Sequence, residues 1–137
     1  MNSLIEQLKR HEGFKAKPYL CTAGKTTIGY GRNLDDAGVS KDEAEAMLVN
    51  DIITATAGAW ALFLSYEQLN DARKDVLINM CFNLGRARLS GFKNMIAAVN
   101  DGYFDLAAKE MLNSKWAKQV GNRAIELSEQ MRTGEYL

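Results

Sequence analysis

Residues 17 to about 34 interrupt a sequence that otherwise has helical periodicity, and this interruption constrains the fold more than any other feature. Tyr19, Thr26, Thr27, Ile28 and Tyr30 favour strands, because β-branched and aromatic side chains suit a pleated, half-buried surface. Ala23-Gly24 and the Gly29-x-Gly31 pair favour tight turns, so a small antiparallel sheet is expected. Ahead of it, Ser3 and Glu6 form a capping-box pattern before Leu4, Ile5 and Leu8, whose spacing makes one apolar helical stripe. Gly13 supplies the stop, which puts Glu12 at the end of the first helix.

A second capping box, Ser40 with Glu43, opens a long helical pattern with Ala44, Met47, Leu48, Ile52 and Ala55 on one side, a helix able to connect two lobes. From Asp71 to Leu84, the residues Ala72, Val76, Leu77, Met80, Cys81 and Leu84 share one face, and Gly85 follows as a natural C-cap. Asn100-Asp101-Gly102 marks a turn, followed by helical patterns over about 104 to 114 and 123 to 132. No internal repeat is evident.

With 137 residues the chain fits one domain, or one core with a small appended lobe. Seventeen basic and 17 acidic residues cancel, and dividing the chain after Trp60 leaves −1 on the first part and +1 on the rest. Neither half is a basic arm, so no nucleic-acid partner is expected. Two cysteines, Cys21 in a turn-prone stretch and Cys81 on an apolar helix face, are too few for a disulfide framework and fit synthesis in a reducing cytosol. The N-terminal stretch lacks the basic-then-apolar pattern of a signal peptide, and the longest apolar run, Ala59 to Leu64, is too short to span a bilayer. Accumulation in the cytoplasm of the producing cell is expected.

The informative stretch is HEGFKAKPYLCTAGKTTIGYGRNL, residues 11 to 34. A carboxylic acid at a helix-to-sheet junction, facing a turn with a second polar group, suits a glycosidase, which needs one proton donor and one group acting on water or on the sugar. Cys21 and Thr27 are the candidate partners of Glu12. Residue types alone leave another reading open, in which Glu12 is a solvated helix-end carboxylate, Cys21 a turn thiol and Thr27 a strand residue.

The run Glu12-Gly13, Tyr19, Gly24 and Thr27-Ile28-Gly29-Tyr30-Gly31, with its E-x8-C-x5-T spacing, resembles the catalytic segment of bacteriophage-type lysozymes, best known from the T-even phages. The resemblance continues through SKDEAEAMLVNDI at 40 to 52, LINMCFNLG at 77 to 85, Gly91-Phe92, Ser114-Lys115-Trp116, Asn122-Arg123-Ala124 and Arg132-Thr133-Gly134, nearly the whole chain. It implies a lysozyme-like α+β fold, predominantly helical, with a small β-containing N-terminal lobe and a helical C-terminal lobe flanking a glycan cleft. The first lobe would cover about residues 13 to 50, and helix 1 to 12 would pack with the helical lobe despite its place in sequence. The sequence looks shortened between the strand region and the long helix, which implies a smaller N-terminal lobe than in larger members.

The same resemblance makes Glu12 the general acid and Thr27 the threonine beside the attacking water. Cys21 stands where the T-even type has aspartate, and its thiol is mostly uncharged at neutral pH unless its surroundings stabilise thiolate. It can orient water, act as a base when ionised, or attack the sugar; a water-directed, inverting reaction is the favoured expectation. Asn33, Phe82, Asn83 and Arg123 are the substrate-binding candidates, with Arg123 also placed near the catalytic glutamate. Met95 and Glu110 stand at cleft positions where the T-even type has small or amide side chains. His11 reads most simply as a helix-terminal cation and Cys81 as core.

The implied activity is an endolysin's: hydrolysis of the β-1,4 bond between N-acetylmuramic acid and N-acetylglucosamine in bacterial peptidoglycan, causing host cell lysis. No cofactor or metal is expected, since Gly29-x-Gly31 lacks a third glycine and one histidine with two distant cysteines makes a poor zinc site. The expected partners are peptidoglycan and a separate holin-type factor giving access to the periplasm and wall, with the protein itself a monomer. Three other readings stay open at this stage: a lytic transglycosylase on the same bond, a non-catalytic peptidoglycan-binding relative, and a hydrolase pairing Cys21 with His11.

Overall fold

A computed structural model describes residues 2–137, which divide into two compact units at Met47/Leu48. The first unit opens with α1 (Asn2–Glu12), followed by β1 (Lys15–Leu20), β2 (Thr26–Gly29) and β3 (Arg32–Asn33). The helix already includes Asn2, so Ser3 lies in its first turn rather than at the expected cap. The strands form one antiparallel sheet in the order β1-β2-β3, with Tyr19 opposite Thr27 and Thr27 opposite Asn33. Thr27 thus sits on the central strand. Tyr30, expected in a strand, lies in the turn between β2 and β3, which a short connection and the positive φ of Gly31 allow.

The Ser40–Glu43 capping box forms at the start of α2 (Lys41–Leu62): Ser40 N–H donates to Glu43 Oε1 at 2.9 Å, and Glu43 N–H to Ser40 Oγ at 3.1 Å. Of the apolar stripe expected on this helix, only Ala55 is buried; Met47, Leu48 and Ile52 are exposed. Among the described residues of the first unit, Thr27 alone is buried. That unit has no apolar core, so the sheet, turns and polar side chains must hold its geometry.

The second unit carries the hydrophobic core. α3 (Asp71–Leu84) buries Ala72, Val76, Leu77, Met80, Cys81 and Leu84, the face its periodicity predicts, and ends at Gly85, whose N–H donates to Cys81 O at 2.8 Å. The remaining helices are α4 (Arg86–Leu89), α5 (Lys93–Asn100), α6 (Phe104–Leu112), α7 (Lys115–Val120) and α8 (Asn122–Thr133). Leu89, Met95, Met111, Trp116 and Met131 come from five different helices and are all essentially buried in the same cluster as α3.

Candidate active site

Glu12 is the last residue of α1, whose termination is local: Gly13 at φ 69° turns the chain, and its N–H donates to Lys9 O at 2.9 Å. The exposed Glu12 side chain lies against the bare Cα of Gly31. Gly31 has a left-handed backbone, φ 76°, that favours glycine, and a Cβ there would come within 2.7 Å of Glu12 Oε2 and 3.0 Å of Cδ, so a side chain would displace the carboxylate. Tyr30 flanks this contact on the α1 side, with its ring 5.5 Å from the Phe14 ring and Lys9 Nζ 5.7 Å from its centroid.

Cys21 follows β1 in a turn closed by two main-chain bonds, Cys21 N–H to Lys25 O at 3.0 Å and Gly24 N–H to Cys21 O at 2.8 Å. Its half-buried thiol is held below the ordinary thiol pKa. Main-chain N–H groups of Lys25 and then Ala23 make the largest contributions, with a smaller one from the Thr27 hydroxyl, all favouring thiolate against the opposing effect of burial. Thr27 also donates to Lys25 O at 2.9 Å. One hydroxyl proton serves one acceptor at a time, so Thr27 can support thiolate only by turning from that carbonyl. The structure therefore brings Cys21 and Thr27 together and seats Glu12 on Gly31, in the strand turn that follows Thr27.

Asn33, read as substrate-binding, is engaged within its own turn: Nδ2 donates to Asp36 Oδ2 at 2.9 Å, and Oδ1 accepts from Asp36 N–H at 3.0 Å. In the second unit, Phe82 and Arg123 line a concavity of about 380 Å³ together with Asp75 and Asn79. Arg123 Nε and one terminal nitrogen donate to Asn79 Oδ1 at 3.0 and 2.8 Å. Asn83 is exposed and accepts the Trp116 indole N–H at 2.7 Å. His11 lies in the last turn of α1, and Cys81 is buried in the core, where desolvation raises its pKa.

Sequence reasoning missed Arg32. Its guanidinium donates to Glu43 Oε1 at 2.9 Å, to Oε2 at 2.5 Å, and to Gly38 O at 3.0 Å. The first of these carboxylate oxygens also accepts from Ser40, and Arg32 above all holds the Glu43 carboxyl at about 2, below its ordinary 4.5. The only sequence signal was Glu43, which the capping box already explained. Reasoning also missed a second concavity in the helical unit, of about 400 Å³, lined in part by Arg88, Lys93, Lys115 and Trp116. Glu110 is on its wall. Met95, read as a cleft position, lines it too, although at 1% exposed it also belongs to the core.

The phage lysozyme family model matches residues 9–133. The chain is 28% identical to probable T4-type lysozyme 1 of Dictyostelium discoideum over 98% of this chain and 96% of that protein. It is 30% identical to an endolysin of Acyrthosiphon pisum secondary endosymbiont phage 1, over 84% of this chain and 77% of that protein. It is also 26% identical to the pre-baseplate central spike protein Gp5 of Enterobacteria phage T4, over 96% of this chain and 28% of that longer protein.

Proposed function

From the premise that this chain belongs to the phage lysozyme family, we propose that it is an endolysin-type muramidase with Glu12 as general acid. Its substrate is bacterial peptidoglycan, cleaved at the β-1,4 bond between N-acetylmuramic acid and N-acetylglucosamine. The observation that carries this reading is the seating of Glu12 on Gly31. An accessible carboxyl at a helix end lies over a neighbour that has no side chain to displace it. A proton donor placed so can reach a glycosidic oxygen.

In the proposed reaction Glu12 gives its proton to the leaving oxygen as the glycosidic bond breaks. Water adds to the anomeric carbon from the opposite face, and its proton passes to the Cys21 thiolate. The products are two sugar chains, ionised Glu12 and a neutral thiol; solvent exchange restores both groups. Thr27, buried on the central strand beside Cys21, orients that water. The main-chain N–H groups around Cys21 favour its thiolate without a positive side chain. Attack by water on the far face inverts the anomeric centre. The enzyme works as a monomer and reaches the wall through a holin-type factor made separately.

Wild type and Glu12→Gln compared on purified peptidoglycan, with turbidity followed and products identified by mass spectrometry, test this reading. Wild type should release reducing muramic acid ends, and Glu12→Gln should lose lysis with an unchanged melting temperature. Anhydro-sugar products would instead identify a lytic transglycosylase. Wall binding without cleavage would identify a non-catalytic relative.

A further inference from the structure

We propose that Arg32 and Glu43 are positioning residues that hold Glu12 in its working orientation by fixing the turn on which it rests, an inference that rests on Glu12 being the acid. The path is short and lies wholly in the first unit. Gly31 lies directly under the carboxylate, Arg32 is its covalent neighbour, and Glu43 belongs to the first turn of α2.

The turn needs such an anchor because little else fixes it. β3 is two residues long, pairing Arg32 with Ile28 and Asn33 with Thr27, and no apolar core stands behind it. On the α1 side Tyr30 is gripped by Phe14 and Lys9. On the α2 side Arg32 makes a two-point fork to Glu43 and a third bond to Gly38 O. Gly31 sits between these two grips, so motion of either one moves the surface under Glu12.

A partly exposed ion pair contributes little stability as a rule, since solvent screens it and ordering both side chains costs entropy. Its geometry is a different matter. The planar guanidinium matched to both carboxylate oxygens fixes direction as well as distance, and Ser40 N–H holds the same carboxylate from the helix end. The pair therefore transmits the rigidity of a 22-residue helix to a two-residue strand. Displacing a proton donor by about an ångström can cost up to about a hundredfold in rate.

The test uses the whole chain on soluble peptidoglycan fragments, with Arg32→Met, Glu43→Gln and Arg32→Lys beside a control, Arg132→Met, which breaks the exposed Arg132–Glu129 pair of the second unit. All are assayed well below their measured melting temperatures. Arg32→Met and Glu43→Gln should each lower kcat by about tenfold while KM stays within about twofold, and the control should change neither. Arg32→Lys, which keeps the charge but not the fork, should fall between wild type and Arg32→Met and serves if the larger change prevents folding. In protein carrying labelled glutamate carboxyls, the Glu12 resonance should shift or broaden in the two pair-breaking variants while that of Glu6 stays in place. Lower melting temperatures with unchanged kcat and an unchanged Glu12 resonance would overturn the inference. Persistent lysis by Glu12→Gln would remove the acid assignment on which it rests, an outcome distinct from full activity in the Arg32 and Glu43 variants alone.

Discussion

Trp116 donates its indole N–H to Asn83 Oδ1 at 2.7 Å, joining α7 to the end of α3 across 33 residues of sequence. The indole is buried while the asparagine is exposed, so one amide both satisfies a core donor and presents its NH₂ group to solvent. Asn83→Ala should orphan the indole and cost about 1–3 kcal/mol in urea unfolding. Asn83→Asp keeps the acceptor and should cost less. Equal losses would mean the acceptor is not what matters.

The C-terminal end of α8 is tied to the start of α3 in the same way. Arg73 lies 3.7 Å over the Phe104 ring and donates to Met131 O at 2.8 Å and Arg132 O at 2.9 Å, while Asn70 Nδ2 donates to Gly134 O at 2.8 Å. Gly134 caps α8 at φ 74°, and a Cβ there would meet Arg73 Cζ at 2.9 Å. Gly134→Ala should therefore destabilise the protein by about 1–2 kcal/mol, from the left-handed backbone before any shift of Arg73 is counted. A loss well below about 1 kcal/mol in equilibrium unfolding would contradict the backbone cost, and one above about 2 kcal/mol would show that Arg73 resists displacement.

The two thiols should separate in alkylation. Lys25 and Ala23 N–H groups lower the Cys21 pKa, whereas burial raises that of Cys81. As pH rises, Cys21 should react first, at a pH below that of a free thiol, with Cys81 protected until unfolding. Peptide mapping by mass spectrometry reads this order, and simultaneous labelling would contradict it.

If the thiol acts on water, Cys21→Ser should lower the lytic rate strongly. Cys21→Asp should keep substantial activity, because a carboxylate can replace the thiolate as base. The comparison belongs on purified peptidoglycan under reducing conditions. Full activity in Cys21→Ser and Cys21→Ala together would leave Glu12 and Thr27 to carry the reaction.

Among the described residues no helix is long and apolar enough to cross a membrane, and the proposed route to the wall needs an accessory factor. Expression alone should leave cells intact until their inner membrane is permeabilised, as followed by culture turbidity. Prompt lysis without permeabilisation would reject that route.

Local patterns were legible because their causes are local. The face of α3, its end at Gly85, the Ser40–Glu43 box and the turns around Gly24 and Gly29 to Gly31 follow from side-chain period, capping chemistry and glycine's freedom at positive φ. The E-x8-C-x5-T spacing carried the resemblance to phage lysozymes that put Glu12, Cys21 and Thr27 forward as candidates. The four-residue α4 and six-residue α7 were not legible, because helices that short are not stable alone and form here by burying Leu89 and Trp116 in the core. Nor did periodicity reveal that Met47, Leu48 and Ile52 are exposed, since a stripe shows which residues share a face and not what covers it. Glu43 lies 11 residues from Arg32, Trp116 33 from Asn83, and the carbonyls of Met131 and Arg132 58 and 59 from Arg73. Only the tertiary structure decided those bonds, because a polar side chain's identity fixes what it can donate or accept, while the fold fixes which group comes within reach.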